Sequence, residues 1–510
     1  MSAPFRATRC WVSLAACLLL PAGTAFAQSV VRSFEGESGP GIEACKAGDN
    51  HCGRQPEMNA AGNGAHVVQV TWRSVRVHDY DGKLLRSTPF AEFVRNAGMD
   101  PMPRNAHNRP SKGPFEPHVV FNEFIQRWVI TSTCKEDCFI VSASPDPLGP
   151  WKGVSVTCLQ GGPCLDKNPG LKLGYDRNGM YFCGGHMGDE NPNTIVKAAY
   201  DCFAIPSAEV EAIGRGVAPK HINRMHNMPL DIVPAIDNNP QKKPTDPAFF
   251  VNKSCGRSAP NACQRSSTNY PFNWVVNTFT WNGPTGTYNW GGTQQLVKTD
   301  IGSKADKWVY NTPCCGENNS IPQAGTDVTI RAAGSHRILN IVQVGSHLHG
   351  VLGSGPCVSD CGTQGADTTN LMIYVDLDCS DAKACVVHDT AKISGADFNP
   401  EFGTVGVDTR GNIGILAMSS TASTNLGILG WSRKAGEKTF SGPTTVLKGT
   451  QPHTCMPDQK MVHAGSTVGI PTVRDTKDGM KLWTSLQWSN DATPCVFNTR
   501  IVQYQLTAAK

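Results

Sequence analysis

The chain has 510 residues, of which 17% are charged, and a formal net charge of +4. So small a charge, with no concentrated basic stripe, argues against nucleic acid as a partner. Fifty-one Gly and 35 Pro favour many short strands joined by turns over a helical bundle.

In chain order, the first element is a leader. Arg6 and Arg9 precede the apolar core WVSLAACLLLPAG, and Ala25-Phe26-Ala27 forms a small-x-small cleavage site. Residues 1–27 therefore read as a secretory signal peptide. Its core is too short to span a bilayer, and no later stretch is apolar enough for a membrane helix. The expectation is one soluble domain over residues 28–510, secreted or periplasmic. Cys10 and Cys17 fall in the leader, which leaves an even eighteen of the 20 Cys. Most form close pairs: Cys45/Cys52, Cys134/Cys138, Cys158/Cys164, Cys183/Cys202, Cys255/Cys263, Cys357/Cys361 and Cys379/Cys385, with Cys314/Cys315 adjacent and Cys455/Cys495 left over. In an exported chain this predicts a disulfide framework. The C-x3-C spacing of Cys134 and Cys138 also admits zinc.

One phrase then recurs. A hydrophobic strand ends in Asp or Asn, turns through residues that often include Gly, and returns. It occurs as LKLGYDRNGMYFC (171–183), GTVGVDTRGNIGILA (403–417) and PTVRDTKDGMKLWTSL (471–486), with looser copies at 119–130 and 337–352. Asp starts such a hairpin turn and Gly accepts its positive φ. Copies at this spacing predict an all-β propeller. First strands open near residues 57, 116, 168, 247, 336, 400 and 467, which gives about seven four-stranded blades. Five, six or eight stay compatible because residues 203–330 are irregular and read as a loop-rich insertion. Within it, the Pro- and Asn-rich 225–247 reads as a long loop. Short helices are expected at 91–98 and 207–214. A lone strand at 29–36 and the last strand at 498–506 would complete one blade together and remove an exposed edge.

The segment SASPDPLGPWKG (142–153) resembles the outer-strand turn of secreted propellers of the sialidase-like and arabinanase/xylosidase-like groups, and the sialidase Asp-box. In the box comparison Gly149 stands one place late and Pro150 replaces Thr. NPEFGTVGVDTRGNIGILAMS (399–419) is similar to a first-strand phrase of uncharacterised secreted bacterial propellers, and 468–506 to their closing blade. The resemblance implies the fold. The Arg triad and Tyr-Glu pair of sialidases cannot be placed residue by residue, so it implies no sialidase activity, and fold alone fixes no function.

Propeller first strands line the axis, so residues at their openings are the candidates for chemistry. Glu57, Glu116 and Glu401 would suit acid/base work on a glycosidic bond, as a glycoside hydrolase or lyase. Arg337 could hold an acidic sugar, with His336 and Asn168 at neighbouring openings. Vicinal Cys314-Cys315 could form a flat, rigid face for a sugar or a planar cofactor, with Glu317 beside it. The repeated Trp-docking motifs of quinone-dependent propellers are absent. His347 and His349 share one face of a strand at period two. With His186, His453 and nearby Met they would suit copper, which makes a copper oxidoreductase one alternative. Calcium is the other candidate ion. A non-catalytic glycan- or protein-binding propeller is the remaining alternative. The expected partner is an extracellular polysaccharide or oligosaccharide.

Overall fold

The structure, a computed structural model, describes residues 30–40, 56–101, 115–134, 137–156, 172–186, 199–228, 232–254, 273–289, 295–298, 320–331, 338–354, 370–455, 461–463, 472–476, 479–490 and 496–506. The leader, Asn168, Cys314, Cys315, Glu317, His336 and Arg337 lie outside them.

The described chain is all-β apart from two short helices. After β1 (Val30–Pro40) comes a meander of β2 (Asn59–Gly62), β3 (His66–Val70), β4 (Ser74–Asp79) and β5 (Leu84–Pro89), then α1 (Phe90–Asn96). The second meander is β6 (Phe115–Asn122), β7 (Arg127–Thr133), β8 (Asp137–Ser142) and β9 (Trp151–Ser155). The third is β10 (Lys172–Tyr175), β11 (Gly179–His186) and β12 (Ala199–Pro206), then α2 (Ser207–Gly214) and β13 (Asn223–Met228). The fourth is β14 (Val233–Asp237), β15 (Ala248–Ser254) and β16 (Asn273–Asn282), with β17 (Thr285–Asn289) and β18 (Gln295–Lys298) both on β16. After β19 (Ser320–Ile321) and β20 (Thr329–Arg331) follows the fifth: β21 (Ile341–Val344), β22 (His347–Ser354), β23 (Leu371–Asp378) and β24 (Val386–Ile393). The sixth is β25 (Pro400–Val407), β26 (Ile413–Thr421), β27 (Thr424–Arg433) and β28 (Ser441–Gly449). Beyond β29 (Met461–His463), the last is β30 (Thr472–Thr476), β31 (Gly479–Trp488) and β32 (Val496–Gln505), completed by β1, which pairs antiparallel with β32. β19, β20 and β29 form a separate small sheet.

The Asp-x-x-Gly phrases form the predicted turns. The Asp176 carboxylate accepts the amides of Asn178 (2.7 Å) and Gly179 (3.0 Å). Asp408 likewise accepts those of Arg410 (2.9 Å) and Asn412 (2.8 Å), and Gly411 takes the left-handed conformation at φ +83°. This is the reason for the spacing: the acid satisfies turn amides that no strand partner reaches.

Strand alternation decides the packing. Along β6, Val119 and Phe121 pack with Val68, Val77 and Trp128, while Val120 packs with Leu173, Phe182 and Phe203 of the third meander. Both faces are buried, so the strands read as near-continuous apolar runs. Further cores join the third meander to the fourth, the fourth to the fifth, the fifth to the sixth, and the sixth to the last with the small sheet. Ala60 and Val67 of the first sheet pack on Trp483 and Ile501 of the last. A polar seam crosses the same junction: Gln69 donates to Ser485 and Thr499 (both 2.8 Å) and accepts the Glu37 amide (2.8 Å). The first strands β10, β14 and β21 run parallel as neighbours, which gives the fold its propeller-like character.

One expected loop is a strand. β14 lies within 225–247 and is buried along its whole length. Pro234 argues against strand, yet it stands opposite Phe250 at the end of the short antiparallel ladder with β15, and the parallel register with β21 begins at Ala235. The opening expected near 247 is consequently a second strand, β15. The loop after β14 returns Lys242 to the ends of three inner strands. Its ammonium is buried and pairs with Asp237 (2.9 Å) and Asp176 (3.2 Å), and donates to Gln343 (3.3 Å). Asp176 also accepts the Tyr181 hydroxyl (2.9 Å), which accepts Trp281 Nε1–H (2.8 Å).

Cys134–Cys138, Cys183–Cys202 and Cys379–Cys385 are disulfides. Zinc at Cys134 and Cys138 is thereby overturned: the two sulfurs are bonded to each other. No helix among the described residues is long and apolar enough to cross a membrane.

Candidate functional site

The three candidate carboxylates stand where the first strands of three meanders begin, and each opening departs from regular strand geometry. Glu57 (φ +46°), Glu116 (φ +50°) and Phe402 (φ +54°) are left-handed, a conformation costly to residues with a Cβ. Register explains two of them. Phe115 pairs with Thr133 and His118 with Thr131; Glu401 pairs with Met418 and Thr404 with Leu416. Each opening therefore holds one extra residue, a bulge that re-aims the side chains around it.

Two of the three openings are joined by a hydrogen bond. The Glu57 carboxylate accepts the backbone N–H of Glu116 at 2.6 Å. Glu401 has a different partner. It is buried and bonded to the Asn370 amide at the start of β23, in a network that runs through Asn399 to Ser419.

Two residues beyond each member of the Glu57–Glu116 pair are groups that the sequence reading passed over. Asn59 Nδ2 lies 3.3 Å from His118 Nδ1, and both side chains are buried. Burial, and then the neighbouring Lys172 ammonium, hold the His118 imidazole well below its ordinary pKa of 6.5. Burial and the adjacent ammonium thus both favour the uncharged ring. With the Asn59 amide donating to Nδ1, the ring proton sits on Nε2. His118 Nε2 and Asn59 Oδ1 have no hydrogen-bond partner among the described residues. The signal was present in the sequence: FEPHV places His118 at period two from Glu116.

The histidines separate into different places. His347 and His349 stack on one face of β22, ring centroids 6.1 Å apart. His347 Nδ1 lies 2.8 Å from Asp376 Oδ1, and His349 Nδ1 lies 2.8 Å from the Tyr374 hydroxyl and 3.9 Å from Asp376. Burial pushes the His349 pKa down to about 4, against the Asp376 charge. His453 belongs to another region. Its backbone N–H donates to Gln323 (2.7 Å) and its Nε2 lies 3.5 Å from Gln487 Nε2. His186 closes β11. A groove of about 180 Å³, lined in part by Val77, Phe93, Asn96 and Trp151, lies among α1 and the outer strands, away from the inner strands.

No family model and no curated protein matches the chain. Solved structures that resemble it include Drosophila semaphorin 1a extracellular domains 1–2, at 9% identity and TM-score 0.43, covering 94% of this chain and 88% of that one. A PL25 polysaccharide lyase, an ulvan lyase bound to -[GlcA(1-4)Rha3S]-, is 10% identical with TM-score 0.40, covering 93% and 96%. The GH62 α-L-arabinofuranosidase catalytic domain of Coprinopsis cinerea is 8% identical with TM-score 0.29, covering 82% and 95%. The likeness is one of outline, and no residue of this chain takes a role from it.

Proposed function

We propose that this chain is a secreted, seven-bladed β-propeller that binds an extracellular glycan at the mouth where its inner strands begin. Closure into seven blades is supported by the succession of cores and by the packing of the first sheet on the last. The disulfides support an oxidising, extracellular setting.

The observation that carries the reading is the pair of buried polar atoms on Asn59 and His118 that have no partner among the described residues. A buried polar atom without a partner costs about 1–3 kcal/mol. His118 Nε2–H is a donor and Asn59 Oδ1 an acceptor, on two side chains linked through Nδ1 and Nδ2 at 3.3 Å. A sugar hydroxyl, which both accepts and donates, matches that pair. Hydrolysis would need two carboxyl groups roughly 5–9.5 Å apart, one of them a proton donor. Glu57 instead accepts a backbone amide and Glu401 is held by Asn370, which favours recognition over cleavage. The second reading, a glycoside hydrolase or lyase, is favoured by the left-handed backbone at Glu57, Glu116 and Phe402, since such strain gathers at reacting sites.

The test is calorimetric titration with a panel of neutral and uronate-containing polysaccharides, alongside assays for new reducing ends and for unsaturated uronate. The expected result is binding without product, weakened about tenfold or more by His118→Ala, as when a buried polar contact is lost. Product that disappears in Glu116→Gln would replace recognition with catalysis. Failure of every glycan to bind would overturn both readings.

A further inference from the structure

Away from the mouth, one trio of ligating side chains among the described residues could share an ion. The nitrogen or oxygen ligand atoms of His347, Asp376 and His388 all lie within 4.8 Å of one another. They come from three adjacent strands, β22, β23 and β24, so the group depends on register.

Two features set it apart from scattered surface histidines. The first is a bulge. Asp376 pairs with Asp389 and Leu377 with Val387, so His388 is the extra residue of β24. In a regular ladder His388 would oppose Leu377 and share its face, which is packed into the apolar core between the fourth and fifth sheets. The bulge frees it from that face and sets its ring at 4.9 Å from His347, edge to face. The second is the carboxylate. Asp376 is only 6% exposed, and among the described residues its partners are His347 at 2.8 Å and His349 at 3.9 Å, with no Lys or Arg paired to it. The nearby guanidinium of Arg433 is paired with Asp389 and lies over the Tyr374 ring at 4.7 Å. A buried carboxylate faced by two imidazoles is a donor set waiting for a cation.

We infer that His347, Asp376 and His388 bind a divalent transition-metal ion of the zinc and copper class. Two imidazole nitrogens and one carboxylate oxygen suit such borderline ions, whereas calcium and magnesium require mostly oxygen ligands. Ligands about 2.0–2.1 Å from a tetrahedral zinc stand roughly 3.3 Å apart, so small rotations of an exposed His388 and a half-buried His347 close the site. His349 and Tyr374, 2.8 Å from each other, lie beside the trio, with His349 Nδ1 3.9 Å from Asp376 Oδ1. With three protein ligands, one position stays open to water, and bound metal clamps three strands of the fifth sheet.

The experiment is titration of metal-stripped, untagged protein with zinc, copper or calcium, read by calorimetry and by the visible absorption of a cobalt-loaded sample. One equivalent of zinc or copper is expected, with calcium silent. His388→Ala should weaken binding about 100-fold or more, as loss of a ligand exceeds the 10- to 100-fold cost of losing a supporting group. His388 is exposed, so this variant should keep its fold, checked by circular dichroism. Asp376→Asn should act in the same direction. His221→Gln, which alters a half-exposed histidine paired with Glu209, should change nothing. Absence of zinc and copper binding, binding indifferent to His388→Ala, or preferential calcium binding would each overturn the inference.

Discussion

The two ends of the inner strands are built on opposite plans. At the turn end, Lys242 answers Asp176, Asp237 and Gln343 at once, and Asp176 is further held by Tyr181. At the opening end, His118 and Asn59 keep polar atoms without a partner among the described residues, and Glu57 and Glu116 hold a left-handed backbone. Both ends bury polar groups along neighbouring strands. Among the described residues, the turn end satisfies its buried charges, whereas His118 Nε2 and Asn59 Oδ1 at the opening end have no partner. A saturated network ties three strands together and has nothing left for a ligand; an unsaturated, strained one costs stability that a bound partner can return.

If the turn end is purely structural, breaking it should have the largest effect on stability. Lys242→Met leaves two buried carboxylates unanswered, and about 3–5 kcal/mol of unfolding free energy should be lost in urea denaturation. Glycan affinity should be unchanged while the protein stays folded. Next in size is the disulfide between β11 and β12. Replacing Cys183 and Cys202 by Ser removes a link across 19 residues and should cost about 3 kcal/mol on the loop-entropy scale.

The opening end should show itself in pH dependence. The His118 pKa is depressed in the folded protein, so below pH 6.5 the unfolded chain takes up the proton first. Stability is then complete above that value and falls by up to about 1.4 kcal/mol per pH unit below it, until the folded ring itself titrates. His118→Gln should remove one such increment from the slope, measured by chemical denaturation between pH 7 and pH 5. An unchanged slope would mean that the ring is not held neutral. The smallest effect is the most diagnostic of strain. Glu116→Gly accepts the left-handed φ without a Cβ and should stabilise the fold by about 0.5–1 kcal/mol while weakening glycan binding. Loss of stability in that variant would make Glu116 a structural residue.

Much of the architecture was legible because its signals are local. Asp176 and Asp408 sit in turns whose amides only they can satisfy, and alternating apolar residues mark strands buried on both faces. The strand pairing of the two chain ends was legible for the same reason: each had a strand pattern without a local mate. β14 was missed because Pro234 and the surrounding Asn and Pro read as loop, whereas burial between two parallel neighbours decides its state. Sites depend on register, which sequence does not display. Period two put His347 and His349 on one face, but Asp376 and His388 reach that face by cross-strand pairing and a bulge. The three Glu look alike in sequence. Glu401 differs because the extra residue after its strand begins falls at Phe402, one place later.

The most direct test of the contrast between the two ends is hydrogen exchange by mass spectrometry, with and without the tightest-binding glycan of the panel. The account predicts new protection in the segments that carry Glu57 to Gly62 and Glu116 to Asn122, and none around Asp237 to Lys243. Protection confined to the turn end, or to β22–β24, would contradict it.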